Sequence, residues 1–225
     1  MPNYLNLDRV EIEYTELGRV AGVWSSRGDK NAKAYFAFST AKPIDLRDVL
    51  AQQELVKNTF ANIGGEIPKL LSFMPKTDDF YFDAASQINM DRWYSNRIVL
   101  LGDAAYCASP MSGQGTSLAL VGAYVLAGEL ALEKGDYQLG FKQFDETIRP
   151  YIKLNQQLGI KAAKLFKSQE KKNPLTWLIG KMIPLLPGRF VEFFINRASQ
   201  RINRAANSII LKDYIKLLRK KILTE

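Results

Sequence analysis

The stretch RIVLLGDAAYCASPMSGQGTSLALVGAYVLAGEL, residues 97–130, joins a short apolar run, a glycine-rich loop and a long uncharged segment. The apolar run Arg97–Leu101 predicts a fully buried strand. Asp103 follows it and is the only charged residue between Arg97 and Glu129. From Leu118 onward the segment is apolar around its whole circumference, which is typical of a buried helix. The stretch therefore predicts a strand, a loop and a helix in succession.

The beginning of this helix is a candidate binding site for an anion. The first amides of a helix have no partner within it, and the helix dipole places about half a positive charge there. Gly113 and Gly115 carry no side chain that would keep a ligand away from those amides. Asp103, at the other end of the loop, is a suitable acceptor for a sugar or ribityl hydroxyl group.

Spacing alone leaves two interpretations of this loop open. GQGTSL, residues 113–118, is not GxGxxG, because Leu118 stands where the third glycine would be. No Lys-Ser/Thr pair forms a phosphate-binding loop either. By these criteria the loop is either a ligand cradle or a plain strand-to-helix connection.

The residues before the loop predict an antiparallel sheet accompanied by helices. Val10, Ile12 and Tyr14 alternate with glutamates, which indicates a strand with one solvent-exposed face. The later segments change between period 2 and the helical period. They predict strands at 19–25 and 33–40, helices at 45–62 and 66–73, and a further strand at Phe80–Met90.

The remainder of the chain is predicted to be helical, and its last third is strongly basic. Gln138–Lys172 predicts one long or two shorter amphipathic helices, and Phe190–Leu223 a last helical stretch. Residues 1–150 hold 15 Lys+Arg against 19 Asp+Glu, whereas residues 151–225 hold 16 against 4. This asymmetry fits solvated helix faces, or contact of the tail with an anionic membrane surface. In the second case the inserting residues would be Trp177, Phe190, Phe193 and Phe194.

Composition excludes several classes of protein. The 225 residues are 47% apolar and 24% charged, an ordinary globular balance. One cysteine excludes a disulfide framework, and the lack of histidine excludes a Ser-His-Asp triad and a His-ligated metal, so no metal site is predicted. No nucleic-acid motif is present, and nucleic acid is not expected as a partner.

Location in the cell is predicted from two further features. Met1–Val10 contains two charged residues and no apolar core, so no signal peptide is predicted. Only Leu118–Gly128 is continuously apolar, which is shorter than the ~20 residues that span a bilayer. We therefore expect a cytoplasmic protein, with peripheral membrane contact through its tail as the alternative.

Residues 97–130 closely resemble the second flavin-binding motif of class A FAD-dependent monooxygenases, the group typified by para-hydroxybenzoate hydroxylase. In that family the motif is roughly GDAAH, a proline, GQG, a small polar pair and an apolar helix. This chain matches at residues 102–105, Pro110 and 113–115. It has Tyr106 where His is common and Ser117 where Asn is common, and neither difference removes a charge.

The resemblance implies an FAD-dependent monooxygenase. Asp103 would bind the ribityl or ribose-pyrophosphate part of FAD. The residues that would lie against the isoalloxazine are Pro110, Gly113, Gln114, Gly115, Thr116 and Ser117. Reduced flavin gathers negative charge on its pyrimidine edge, which a helix N-terminus stabilises. In this family NAD(P)H reduces the flavin, and a flavin hydroperoxide then hydroxylates a small molecule, here expected to be hydrophobic or aromatic. No catalytic residue is assigned.

The resemblance also implies a hydroxylase-type FAD/NAD(P)-binding fold of the α+β class in truncated form. We predict a substrate-binding-type β-sheet domain at 1–96, the second FAD-binding motif at 97–135 and a basic helical region at 136–225. The sheet aromatics either line a substrate pocket or fill the sheet core: Tyr35, Phe36, Phe38, Phe80 and Phe82. Arg92 and Arg97 either approach the flavin or form salt bridges.

The first motif of the family is absent from this sequence. The family normally begins with strand–GxGxxG–helix and an acidic residue for the adenosine ribose, and no glycines before residue 100 have that spacing. The Asp-Gly motif from the middle of the family's chain is absent as well.

Three explanations are open. The N-terminal FAD-binding half could be a separate polypeptide, which we favour because the loop and Asp103 are intact. The chain could instead be a remnant that no longer binds flavin, or a non-catalytic interaction or membrane-surface module. In the first case we expect the lone chain to bind FAD weakly.

Overall fold

The computed structural model describes residues 1–16, 18–40, 44–168, 199–200 and 202–224. These form two compact units, one built on residues 1–84 and the other on residues 85–164 with the described residues from 199 onward. The class is α+β, with small antiparallel sheets and helices, as predicted. The four aromatic residues predicted to insert into a membrane, at 177, 190, 193 and 194, lie outside the described residues.

The first unit contains a three-stranded antiparallel sheet. Its strands are β1 (Glu11–Glu16), β2 (Arg19–Trp24) and β3 (Lys33–Phe38), and β2 lies in the middle. Ala21 and Val23 are fully buried on one face, while the glutamates of β1 point to the other. The alternation in the sequence therefore predicted both the strands and their buried face.

Two helices cover the buried face of this sheet. They are α1 (Val49–Phe60) and α2 (Ile67–Phe73), and a 3₁₀ turn, Met74–Lys76, follows. Asp48 caps α1, because its Oδ1 accepts a hydrogen bond of 3.0 Å from the amide of Ala51. Apolar residues from both helices join the sheet in one core: Val56, Phe60, Ile67 and Leu70. Both predicted helices are confirmed.

The strand predicted at Phe80–Met90 is wrong, because these residues form no regular secondary structure. Their polar groups bond to a loop and a helix instead of a neighbouring strand. The amide of Ile88 donates to the Cys107 carbonyl at 3.1 Å. The side-chain amide of Gln87 donates to the carbonyls of Ala108 and Gln156. An alternating pattern without a partner strand does not make a sheet.

The second unit consists mainly of helices. A two-stranded antiparallel ribbon, β4 (Tyr94–Ser95) and β5 (Ile98–Val99), leads into the loop and its helices. The helices are α3 (Asp103–Tyr106), α4 (Gly115–Leu132), α5 (Tyr137–Ser168) and α6 (Tyr214–Thr224), with a 3₁₀ turn at Pro110–Ser112. Residues 202–206 are also helical, whereas 207–213 are not, so the predicted last helical stretch is interrupted.

The longest helix, α5, passes through Pro150 without interruption. Asp136 begins it by accepting hydrogen bonds from the amides of Gln138 and Leu139. Its buried residues Phe144, Ile148 and Ile152 pack in the core of the unit. Of the two predicted alternatives, the single long helix is the one observed.

Two predictions about burial in this unit are wrong. Only Ile98 and Val99 of the predicted buried strand are in a strand, and Ile98 is 70% exposed, because β4 is the only strand that pairs with β5 among the described residues. Helix α4 is buried on one face only. Leu118 and Val125 lie in the core, whereas Leu120 is 67% exposed. On the same outer face, Tyr124 contacts the segment that begins α6, because its hydroxyl donates to the Lys212 carbonyl at 2.8 Å and its ring lies 5.3 Å from that of Tyr214.

Helix α4 also differs from the sequence-based estimate of its apolar length. It is the one helix of the described chain that is long and apolar enough to cross a membrane, and 28% of it is buried. Residues on both sides of the predicted stretch account for the difference, because 115–117 and 129–132 are helical as well. Length and composition alone do not distinguish such a helix from the core helix of a soluble protein.

Candidate flavin-binding loop

The loop begins with a turn that exposes a carboxylate. Gly102 has φ of 64° and ψ of −140°, a conformation that favours glycine. Its carbonyl accepts hydrogen bonds from the amides of Ala105 and Tyr106, which closes the single turn α3. Asp103 is the first residue of that turn and is exposed. The chain therefore leaves β5 with an aspartate at the surface.

The middle of the loop is held by two serines. Ser109 has φ of 74°, and its Oγ accepts a hydrogen bond from the amide of Met111. Ser112 donates its hydroxyl proton to the Ser109 carbonyl at 2.8 Å and accepts from the amide of Gln114 at 3.2 Å. Both serines are buried, so their bonds fix the loop. Our sequence reasoning missed these two roles, although the serines flanking Pro110-Met111 are a turn signal.

Helix α4 begins without a side-chain cap. Gln114 is its N-cap residue, and no side chain caps it in the described structure. The first intrahelical hydrogen bond at this end joins the amide of Leu118 to the carbonyl of Gln114. The amides of Gly115, Thr116 and Ser117 precede that bond and are not used by it. They lie at the positive end of the helix dipole, where an electron-rich group is stabilised.

Glycine keeps the approach to these amides open. Gly113 is in the left-handed conformation, with φ of 64°, and a Cβ there would meet nothing within 4 Å. A Cβ at Gly115 would lie 3.9 Å from Oδ1 of Asp103. The carboxylate therefore stands beside the beginning of α4. A hydrogen-bond acceptor and a row of main-chain donors are brought together at one open edge.

Tyr106, which stands where the resembling family commonly has His, belongs to the core. Its ring lies 4.9 Å from that of Trp93, and burial raises the pKa of its hydroxyl. A Cβ at Gly122 would lie closer to the Tyr106 oxygen than any real contact allows. The hydroxyl has no hydrogen-bond partner among the described residues. Tyr106 therefore packs in the core beneath the loop and does not face the open edge.

The predicted substrate-pocket residues do not form one cluster. Phe36 and Phe38 point into the first unit, with ring centroids 5.0 and 5.9 Å from that of Phe60, and Phe82 lies 6.3 Å from Phe38. Tyr35 points to the opposite face of the sheet. Its ring crosses β2 over the backbone of Gly22. Its single hydroxyl proton is shared between the carboxylates of Glu11 and Glu13 on β1, whose oxygens lie 2.6 and 2.8 Å away.

The two arginines near the loop rest on aromatic rings. Arg92 lies 5.6 Å from the ring of Tyr94, and Arg97 lies 5.5 Å from the ring of Tyr137. Two open surface grooves have volumes of about 450 and 480 Å³, and Tyr94 lines the second, but no residue of the loop lines either one. Among the described residues no group of three His, Cys, Asp or Glu could hold a metal ion.

This arrangement suits a ligand that combines hydroxyl groups with an electron-rich edge, as a flavin nucleotide does. The site is an exposed edge built from Asp103, the glycine loop and the first turn of α4. A protein with such an edge belongs to the class that binds a nucleotide cofactor through main-chain amides.

The comparison with protein families agrees with this class. The model of the FAD binding domain family matches residues 11–136, and this chain belongs to that family. The match includes the sheet of the first unit, the loop and α4.

Several relatives are named flavin-dependent monooxygenases. The chain is 42% identical over 215 residues to a flavin-dependent monooxygenase from an unknown prokaryotic organism, covering 95% of this chain and 52% of the relative. It is 38% identical over 167 residues to a flavin-dependent monooxygenase of Legionella longbeachae, covering 74% of this chain and 43% of the relative. The crystal structure of tetracycline destructase Tet(55) superposes with a TM-score of 0.80 at 35% identity, covering 95% of this chain and 53% of that one. The chain therefore spans about half the length of the relatives it matches.

Proposed function

We propose that this chain forms the part of an FAD-dependent monooxygenase that holds the isoalloxazine end of the cofactor. The observation that carries the proposal is the position of the Asp103 carboxylate, 3.9 Å from the Cβ position of Gly115 at the uncapped beginning of α4. Family membership and the names of the relatives support the same assignment.

The residues present suit the chemistry of FAD. The Asp103 carboxylate accepts hydrogen bonds from ribityl or ribose hydroxyls, since an ionised carboxylate is an acceptor only. The amides around Gly115 and Ser117 would donate to the electron-rich edge of the ring system. A side chain at Gly113 would meet nothing within 4 Å and Pro110 is exposed, so neither would block a flat ring. When bound, FAD supplies the transfer of electrons and the activation of oxygen.

The proposed role of the loop is to stabilise negative charge on the flavin with hydrogen-bond donors that are already in position. The hydrogen bonds of Ser109 and Ser112 fix the loop before α4, so its first amides would be in place to face negative charge at the flavin edge. Donors held in place before reaction cost no reorganisation, which is why such arrangements favour charged states. We assign no proton transfer to a side chain of this loop.

We further propose NAD(P)H as the electron donor, a hydrophobic or aromatic small molecule as the substrate, and the cytoplasm as the location. The substrate class is supported by the name of one relative of known structure, a tetracycline destructase. Phe36, Phe38 and Phe82 pack against the core of the first unit but are only partly buried, and their exposed parts are the candidate contact for such a molecule.

The proposal includes a second polypeptide. Because the residues of this sequence lack GxGxxG, we propose that the adenosine half of FAD is held outside them, by an N-terminal FAD-binding chain. The chain alone then contacts only part of the cofactor and binds it weakly.

A titration of the full chain with FAD, followed by flavin fluorescence, tests the loop. Asp103→Asn removes the charge and keeps the shape, so we expect FAD affinity to fall about tenfold, the cost of losing a charge-assisted hydrogen bond. Asp91→Asn removes another exposed carboxylate of the same unit and is expected to leave the affinity unchanged.

Three results would contradict the proposal. Equal affinities of the wild type and Asp103→Asn would show that the carboxylate takes no part in binding. No detectable FAD binding, alone or with an N-terminal partner, would favour a remnant that has lost the cofactor. Tight, stoichiometric binding by the lone chain would show that no second chain is required.

A further inference from the structure

A short segment that precedes the β4–β5 ribbon is bonded to the candidate flavin loop. Residues 86–88 have no regular secondary structure. The amide of Ile88 donates to the Cys107 carbonyl at 3.1 Å, and the Cys107 thiol donates to the Ser86 carbonyl at 3.7 Å. The segment therefore lies along the loop and contacts it from both of its flanking residues.

The residue between them, Gln87, links the loop to helix α5. Its Nε2 carries two protons, and it donates to the Ala108 carbonyl of the loop at 3.0 Å and to the Gln156 carbonyl of α5 at 2.8 Å. The side chain of Gln156 donates in return to the Ile88 carbonyl at 2.7 Å. Both glutamines thus fasten the segment to α5. Of the two, Gln87 is the one whose side chain bonds to the loop.

A glycine inside α5 makes room for this contact. A Cβ at Gly159 would lie closer to the Ala108 oxygen than any real contact allows, and 3.1 Å from Nε2 of Gln87. Glycine in a helix interior is less favourable than alanine, so a glycine at this position has a packing reason. Here the reason is the close approach of the loop carbonyl to the helix.

The carbonyl that Gln87 binds precedes a strained residue. Ser109 has φ of 74° and ψ of 143°, close to a backbone conformation that is almost confined to glycine. Such a conformation persists only where the surrounding contacts determine it. Gln87 binds the carbonyl before Ser109, and the Ser112 hydroxyl binds the carbonyl of Ser109 itself. The course of the chain between Asp103 and the beginning of α4 is therefore set at this point.

From these contacts we propose that Gln87 is a positioning residue of the flavin site. Its side-chain amide fixes the loop in the shape that brings the Asp103 carboxylate beside the first amides of α4. This inference rests on the proposed function, and it adds a residue from outside the 97–130 motif. Gln87 acts through the peptide that joins Ala108 to Ser109, so its loss should weaken FAD binding while every group proposed to contact FAD stays present.

Two measurements on the full chain test this role. Cys107 is the one cysteine of the sequence and lies in the loop, so its rate of reaction with a chromogenic aromatic disulfide reports on the loop without any cofactor. Flavin titration gives the FAD affinity. Gln87→Met keeps the length of the side chain and removes its donors. We expect FAD affinity to fall about fivefold, the value of one hydrogen bond, and the thiol to react about fivefold faster.

Gln156→Met is the matched control. It removes the other glutamine that fastens the segment to α5, and it leaves the main-chain carbonyl that Gln87 binds. Its FAD affinity and thiol rate should stay within about twofold of the wild type. The visible absorption band of bound flavin, which depends on hydrogen bonds to the ring, should change in Gln87→Met and not in Gln156→Met. Equal FAD affinities and equal flavin spectra in the two variants would overturn the inference.

A second variant approaches the same carbonyl from the helix. Gly159→Ala keeps the Gln87 amide and displaces the Ala108 carbonyl, so FAD affinity should fall by at least the same factor. A circular dichroism spectrum equal to that of the wild type shows that each variant is folded. Wild-type FAD affinity in folded Gly159→Ala would also overturn the inference.

The thiol reaction separates this inference from the proposed function. A faster reaction in Gln87→Met, together with unchanged FAD affinity in Asp103→Asn, would support the hold of Gln87 on the loop and contradict the cofactor assignment. Weaker FAD binding by Asp103→Asn, together with wild-type thiol rate and FAD affinity in Gln87→Met, would overturn the inference and leave the cofactor assignment standing.

Discussion

The two ends of helix α4 differ in whether side chains pair with their polar groups. At its C-terminal end, the Glu129 carboxylate is 2% exposed and accepts hydrogen bonds of 2.7 Å from both Lys212 Nζ and the Tyr214 hydroxyl. Gly128 lies directly against the Tyr214 ring. At its N-terminal end no side chain caps the helix, and Gly113 faces open space. The C-terminal end is therefore closed by side-chain contacts. The N-terminal end is open, and its main-chain amides stay available as hydrogen-bond donors.

This difference separates stability from binding within one helix. A buried carboxylate is tolerated only when it is paired and hydrogen-bonded, so Glu129 ties α4 to the segment that begins α6. An uncapped N-terminus forgoes stability that a capping residue would supply. The protein therefore places its structural contacts at one end and its ligand-facing groups at the other. Substitutions at the two ends should have different consequences.

The largest effect is expected at the closed end. Glu129→Ala leaves the buried Tyr214 hydroxyl without its partner and removes the Lys212 ion pair, so the free energy of unfolding should fall by about 2–3 kcal/mol. Chemical denaturation measures this. Glu146→Ala, at an exposed residue with only a 4.0 Å ion pair, is the control and should change stability by less than about 0.5 kcal/mol. Equal effects of both substitutions would show that the closed end is not a structural anchor.

A pair of glycine substitutions compares the ends directly. At Gly128 an added methyl group would lie 2.3 Å from the Tyr214 ring, so Gly128→Ala should lower stability by about 2 kcal/mol. At Gly113 the space is open, and only the left-handed backbone opposes alanine, at about 1 kcal/mol. FAD affinity should fall only for Gly113→Ala. Thermal unfolding measures the stability of both variants, and flavin titration measures their FAD affinity. A loss of FAD affinity confined to Gly128→Ala would contradict the assignment of the N-terminal end of α4 to ligand binding.

A smaller effect concerns pH. Burial, and next the hydrogen bond to Glu129, raise the pKa of the Tyr214 hydroxyl above its ordinary value near 10.0. The unfolded chain ionises first, so this contribution to stability is complete below about pH 10 and is lost as pH rises further. Tyr214→Phe should cost about 1 kcal/mol at neutral pH and should reduce the decline above pH 10. Denaturation between pH 7 and 11 measures this, and an unchanged decline would exclude Tyr214 as a cause.

Local patterns predicted much of the fold. Alternation along β1 to β3 and the spacing of apolar residues in α1 and α2 depend on neighbours close in sequence, so both were correct. Phe80–Met90 shows the limit, because its alternating residues found loop and helix partners in place of a strand. Whether such a segment becomes a strand depends on a neighbour that its own sequence does not specify.

The candidate site shows both what a local motif predicts and what it does not predict. Asp103 and Gly115 belong to one local motif and lie close together, while their role in binding a cofactor stays a prediction. The burial of α4 was wrong on one face, because periodicity shows that a face is apolar and does not show what covers it. The tie between Glu129 and Tyr214 joins residues 85 positions apart and has no local signal.

The most direct test of the account introduces a cap at the open end of α4. Gln114→Asp supplies an oxygen that can bond the free amides, so stability should rise by about 0.5–1 kcal/mol. The same carboxylate occupies the flavin-binding donors and repels an electron-rich ring, so FAD affinity should fall at least tenfold. Gln138→Asp makes the same change at the beginning of α5, which Asp136 already caps, and should leave FAD affinity unchanged. A variant that is more stable and binds FAD as tightly as the wild type would contradict the claim that these amides hold the flavin.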